Sequence, residues 1–252
     1  MDNRSFAPLR WALTLNAIFF SMLHFVTSVR TLGDISTHTM ITTAEFKKQV
    51  AKTFGNEMRK FGFKGTGFDY FSETDDYLFA VWIESRWGGS CSSGLAIHPK
   101  LVDRDSEGKL NLKKLKIHQY EFKLSLSGQG RSDRWKYSDE KEQNEKTIDE
   151  IKAYVTERAL PVIELFNAKP NILDRFEVSE LKNFHRNFTK KTGTYIATTE
   201  LRFAWALTVF FENKNILKAR QFAEYGVSQL EKNDSWFGMV DFKRVLRENN
   251  VA

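Results

Sequence analysis

The chain is 252 residues long, 41% apolar and 28% charged, which excludes a wholly disordered chain, a collagen and a multispanning membrane protein. A lone cysteine, Cys91, excludes an intramolecular disulfide and a cysteine-cluster metal site. Thirty-eight basic against 32 acidic residues leave a net charge of +6, too dilute to indicate nucleic-acid binding, which calls for a concentrated basic stripe.

Residues 1–41 read as a hydrophobic leader or membrane anchor, and 42–252 as a single α+β domain. Trp11 to Val29 carries no formal charge and is long enough to cross a bilayer, although Asn16, Ser21 and His24 are costly in hydrocarbon. The segment fits a single anchor, a secretory signal peptide, a docked helix, or a leader upstream of a natural start at Met40. A start at Met40 implies a cytoplasmic protein; otherwise the chain is single-pass and membrane-associated.

Thr42-Thr-Ala-Glu45 reads as a capping box. Phe46, Val50, Phe54 and Met58 then recur every fourth residue, which predicts a helix over 43–61 ended by Gly62. Gly65-Thr-Gly67 reads as a reversing loop. Strands follow at Phe68–Phe71, at Tyr77–Ser85 with both faces at least partly covered, and at Leu95–His98. Residues 102–114 look like a polar loop. Lys109, Lys113, Lys114 and Lys116, broken by Leu110, Leu112, Leu115 and Ile117, read as its solvated lead into a strand, with anion contact as the alternative. Tyr120, Phe122, Leu124 and Leu126 alternate with Glu121, Lys123 and Ser125, the pattern of a half-buried strand. Four strands on short loops, with no crossover helices, predict a small, mostly antiparallel sheet.

The second half reads as helical. A stripe from Ile148 to Phe166 contains Pro161, where a kink or break is expected. Ser179 is placed as the cap of a short helix to Phe188, and Thr198 as the cap of a helix holding Leu201, Trp205, Thr208 and Phe211. A helix through Leu217, Phe222, Ala223 and Leu230 completes an αα-hairpin, and Val240–Arg247 closes the chain.

Chemistry-bearing motifs are scarce. The sequence has no zinc-protease motif, phosphate loop or nucleophile elbow, and no histidine spacing suits a metal. No cofactor is indicated. Trp87 beside Gly88 and Gly89, and Trp135 with Arg131 and Arg134 nearby, are candidate binding residues on two recognition loops, 86–94 and 129–137; the alternative is that such rings anchor their loops to the core. Cys91 reads as a packing residue near a hairpin tip.

The order Phe46…Phe54…Met58…Phe61-Gly-Phe63-Lys64…Phe68…Phe71, followed by Ser93-Gly-Leu95-Ala-Ile97, resembles an uncharacterised bacterial family called domain of unknown function 4304. Members have a helix ending in Gly-Phe, then strands, then a tryptophan before a long helix ending in Leu-Pro. Gly62-Phe63, Trp135 and Leu160-Pro161 take those places, and the likeness spans roughly 43–166. The resemblance implies no reaction. Some small bacterial α+β domains of this general kind resemble immunity proteins, so by analogy the expected function is non-catalytic binding, immunity-like or regulatory, with another protein as partner. The alternative is an enzyme with a pocket near Cys91 and the strand histidines.

Overall fold

The computed structural model describes residues 43–86, 88–106, 108–126, 135–230 and 236–247. Helix α1 (Thr43–Lys60) buries Phe46, Val50, Phe54 and Met58 on one face, as their spacing predicts. Thr42 of the expected capping box lies outside the described residues. The helix ends in a Schellman turn: the Gly62 amide donates to the Arg59 carbonyl at 3.1 Å, and the Phe63 amide to the Met58 carbonyl at 3.0 Å. Gly62 sits at φ +81°, where a Cβ is costly. Phe63 and Met58 are both buried in the main core. The Gly-Phe pair thus has a mechanical reason: the glycine turns the chain and the phenylalanine seals the turn.

A six-stranded antiparallel sheet follows. Strands β1 (Lys64–Thr66), β2 (Asp69–Glu73), β3 (Tyr77–Arg86) and β4 (Ser90–Pro99) pair in sequence order. After a small hairpin of β5 (Arg104–Asp105) and β6 (Gly108–Lys109), strand β7 (Phe122–Ser125) joins the far edge of β4. Strand β8 (Trp135–Lys136) continues along that edge, opposite Cys91 and Ser90. The four expected strands are present, with β1 and β8 as short additions. Gly65-Thr-Gly67 is part of the β1–β2 hairpin, and Ser90–Gly94, expected in the recognition loop 86–94, belongs to β4.

Strand alternation sorts the sheet into two faces. Tyr77, Phe79, Val81, Ile83, Leu95, Ile97, Phe122 and Leu124 face the main core. Leu78, Ala80 and Ala96 face a smaller cluster closed by Leu110, Leu115 and Tyr120. Two expectations for 120–127 fail here. Tyr120 follows a 3-10 turn, Ile117–Gln119, that resets the phase before the strand begins, so its ring joins the smaller cluster rather than the Phe122 stripe. Glu121, expected in solvent, is buried and held by the Arg202 guanidinium in a two-pronged bond, Nε to Oε1 at 2.9 Å and Nη2 to Oε2 at 3.1 Å.

The helical half backs the main core. Helix α2 (Lys141–Tyr154), one π-helical turn (Val155–Ala159) and α3 (Leu160–Asn167) run on without interruption. The expected disturbance at Pro161 takes the form of that wide turn: the Leu160 amide reaches back five residues to the Val155 carbonyl, immediately before the residue that has no amide proton to give. Ser179 does not start an α-helix; Val178–Asn183 is 3-10, and α4 spans Phe184–Thr192. Thr199 rather than Thr198 caps α5 (Glu200–Glu212), accepting from the Arg202 amide. Helix α5 is buried all round from Phe203 to Phe211. It pairs with α6 (Ile216–Leu230), and α7 (Met239–Arg247) packs on both. Phe203 is a hub, its ring 5.0–6.1 Å from those of Phe122, Phe176, Phe184 and Phe188.

Trp11–Val29 lies outside the described residues. Among the described residues no helix is long and apolar enough to cross a membrane.

Candidate functional site

Three of the four candidate binding residues, Trp87, Arg131 and Arg134, lie outside the described residues. The fourth, Trp135, is buried with its ring edge-on to Tyr154 at 5.4 Å. Tyr137, two residues on, stacks on Phe46 at 4.4 Å and shares a 3.1 Å hydrogen bond with Thr43. Both rings tie the start of the long helix to the core.

The groups best suited to chemistry are held apart. Cys91 and His98 share β4 but differ by an odd number of residues, so alternation sends them to opposite faces. Cys91 is in the main core, where burial pushes its thiol up to about 12. His98 faces the smaller cluster, bonded through Nε2 to the Val102 carbonyl at 2.6 Å, and burial drives its pKa down to about 4. His118 is exposed, and His185 stacks on Tyr195 at 4.9 Å. Among the described residues no three His, Cys, Asp or Glu side chains converge in a way that could hold a metal ion.

Burial pushes the Glu121 carboxyl up to about 7, against the Arg202 fork that favours its charged form. The pair joins the start of β7 to α5 and is a structural tie. A second ionic knot does the same for the β5–β6 hairpin: Arg104 reaches Glu212 and Asp241, each at 2.9 Å, and Asp241 also accepts from the Trp205 indole at 2.8 Å.

Among the grooves that open to solvent on the described residues, two border the sheet. The larger, about 1010 Å³, lies between the end of β7, the π-helical turn and the bend after α4. Two of its polar groups are engaged by their own chain: the Thr192 hydroxyl bonds to the Phe188 and Thr194 backbone, and the Arg158 guanidinium lies 4.3 Å from the Tyr154 ring.

The smaller groove, about 480 Å³, opens between β1–β2 and the 3-10 turn Leu112–Lys114. Its floor is apolar: Phe71, 38% exposed, with Leu78, Leu115 and Tyr120 beneath. Lys64 stands on one wall and Lys113 and Lys114 on the other, all three exposed. None of these lysines has a carboxylate within ion-pair distance among the described residues. Glu73 also lines the groove and is turned to Lys100, 3.6 Å away. The local sequence explains the arrangement. Leu115 and Tyr120 point inward and clip the 110–120 segment to the sheet, which leaves the intervening lysines outward. Sequence reasoning placed those lysines in a plain solvated lead; the signal missed was the spacing of Leu110, Leu115 and Tyr120, apolar residues in an otherwise polar stretch.

No curated protein and no solved structure matches the chain. Residues 54–165 match the family model described as Domain of unknown function (DUF4304), the same family that Gly62-Phe63, Trp135 and Leu160-Pro161 resemble.

Proposed function

We propose that the protein is a non-catalytic interaction protein, immunity-like or regulatory in kind, whose partner is another protein. The observation that carries this reading is the smaller groove: an exposed aromatic floor between cationic walls, with neither a histidine nor a cysteine in its lining. Apolar surface that a folded chain leaves open and frames with charge is the common form of a recognition site. Cys91 and His98, on opposite faces of β4, cannot act on one substrate atom together.

The test uses the full chain, tagged and expressed in its host. Chemical crosslinking and affinity recovery are expected to return a protein partner that co-elutes with it in gel filtration. Recovery of no partner would overturn the reading, and time-dependent consumption of a small molecule when the purified protein is incubated with host metabolite extract would put an enzyme in its place.

A further inference from the structure

We infer that the groove between β1–β2 and the Leu112–Lys114 turn takes an acidic protein segment carrying one bulky apolar side chain. This rests on the interaction reading above and specifies its partner. The apolar floor of Phe71, Leu78, Leu115 and Tyr120 fits a leucine or an aromatic ring. The cations sit on both sides of that floor, Lys64 on one wall and Lys113 with Lys114 on the other. A chain with carboxylates flanking its anchor residue would meet both. The one carboxylate in the lining, Glu73, is directed to Lys100, so it does not neutralise the three lysines. Lys116, exposed on the same segment, extends the positive surface beyond the groove, whereas Lys109 is paired with Asp103 at 4.0 Å. Such a field speeds encounter with an acidic partner, and the apolar anchor then sets how long the complex lasts. The anion contact suggested by the lysine run is thereby joined to a hydrophobic subsite.

The probe is a fluorescein-labelled peptide, Glu-Asp-Glu-Trp-Leu-Glu-Asp-Glu, titrated by anisotropy against the full chain beside a counterpart in which every acid is replaced by its amide. The acidic peptide is expected to bind and its counterpart not. The double variant Lys113→Glu/Lys114→Glu, at exposed positions, is expected to melt like the parent and to bind the acidic peptide about tenfold more weakly. Equal binding of the two peptides, no binding of either, or an affinity unmoved by the charge reversal would overturn the inference. Displacement of the acidic peptide by decanoate at equal or lower concentration would overturn it too, in favour of a small amphipathic carboxylate. A host partner recovered equally well by the parent and by the double variant would sink this inference and leave the interaction reading standing; recovery of no partner would sink both.

Discussion

The two faces of the sheet are closed by different means. The main face lies under α1, the long α2–α3 helix and α5, and its aromatic residues interlock: Phe122 meets Phe166 and Phe203, and Tyr77 meets Phe166 edge-on at 5.3 Å. Among the described residues the apolar cover of the other face comes from the 110–120 segment, a chain of short 3-10 turns fixed by Leu110, Leu115 and Tyr120. A helix layer covers a sheet face from end to end, whereas a thin strap covers part of it and leaves a seam at its margin. Stability is therefore concentrated on one side of the sheet, and the open surface with a defined chemistry lies on the other.

This contrast can be broken by measurement. Phe122→Ala removes a fully buried ring from the main face and is expected to cost about 4 kcal/mol in urea unfolding. A cost below that of the strap variants would contradict the division of labour.

His98 sharpens the comparison through pH. Its folded pKa, about 4, lies below the unfolded value of 6.5, so the unfolded chain takes up a proton first as the medium acidifies. The stability this group contributes is fully present above pH 6.5 and is lost as pH falls towards 4, by up to about 3 kcal/mol. His98→Gln keeps a donor for the Val102 carbonyl and does not titrate. Its unfolding free energy is expected to fall less steeply than the parent's between those pH values; parallel curves would show that His98 is not held neutral by the strap. Glu121, pushed up to about 7, contributes in the opposite sense in both proteins and cancels in the difference.

Leu115→Ala loosens the strap itself. About 2 kcal/mol is expected, the low end for a buried leucine because the layer is thin and can settle, with amide exchange speeding up over 110–120 but not in α1. Uniform acceleration across both regions would mean that the strap is part of the main cooperative unit. The smallest effect belongs to Gly94→Ala. A Cβ at Gly94 would stand 2.1 Å from the Trp82 ring, which lies across the glycine on the strap side of the sheet. Trp82 is half-buried and can swing outward, so about 1 kcal/mol is expected, with a red shift in tryptophan emission. An unchanged spectrum would show that the ring does not rest there.

The main face was legible in the sequence because its signals are local and periodic. Phe46, Val50, Phe54 and Met58 mark a helix, Gly62-Phe63 its end, and Phe79, Val81 and Ile83 a strand. The strap face was legible only in part: Leu78, Ala80 and Trp82 mark β3 as covered on its second side too, but what covers it acts at a distance or breaks the period. Glu121 reads as a solvent residue until Arg202, far along the chain, is brought beside it. Tyr120 reads as part of a strand until the 3-10 turn before it shifts the phase. The lysine run reads as a loop because nothing local tells that Leu115 and Tyr120 have a sheet to rest on. In the helical half, the all-round burial of Phe203–Phe211 was visible in composition but is poorly described by a single stripe.

Hydrogen–deuterium exchange of the full chain, free and bound to its recovered host partner, tests the central claim most directly. The account predicts slowed exchange over 62–73 and 110–120, the two walls and floor of the lysine-framed groove, with the main-face helices unchanged. Slowing confined to 189–197, at the larger groove, would contradict it.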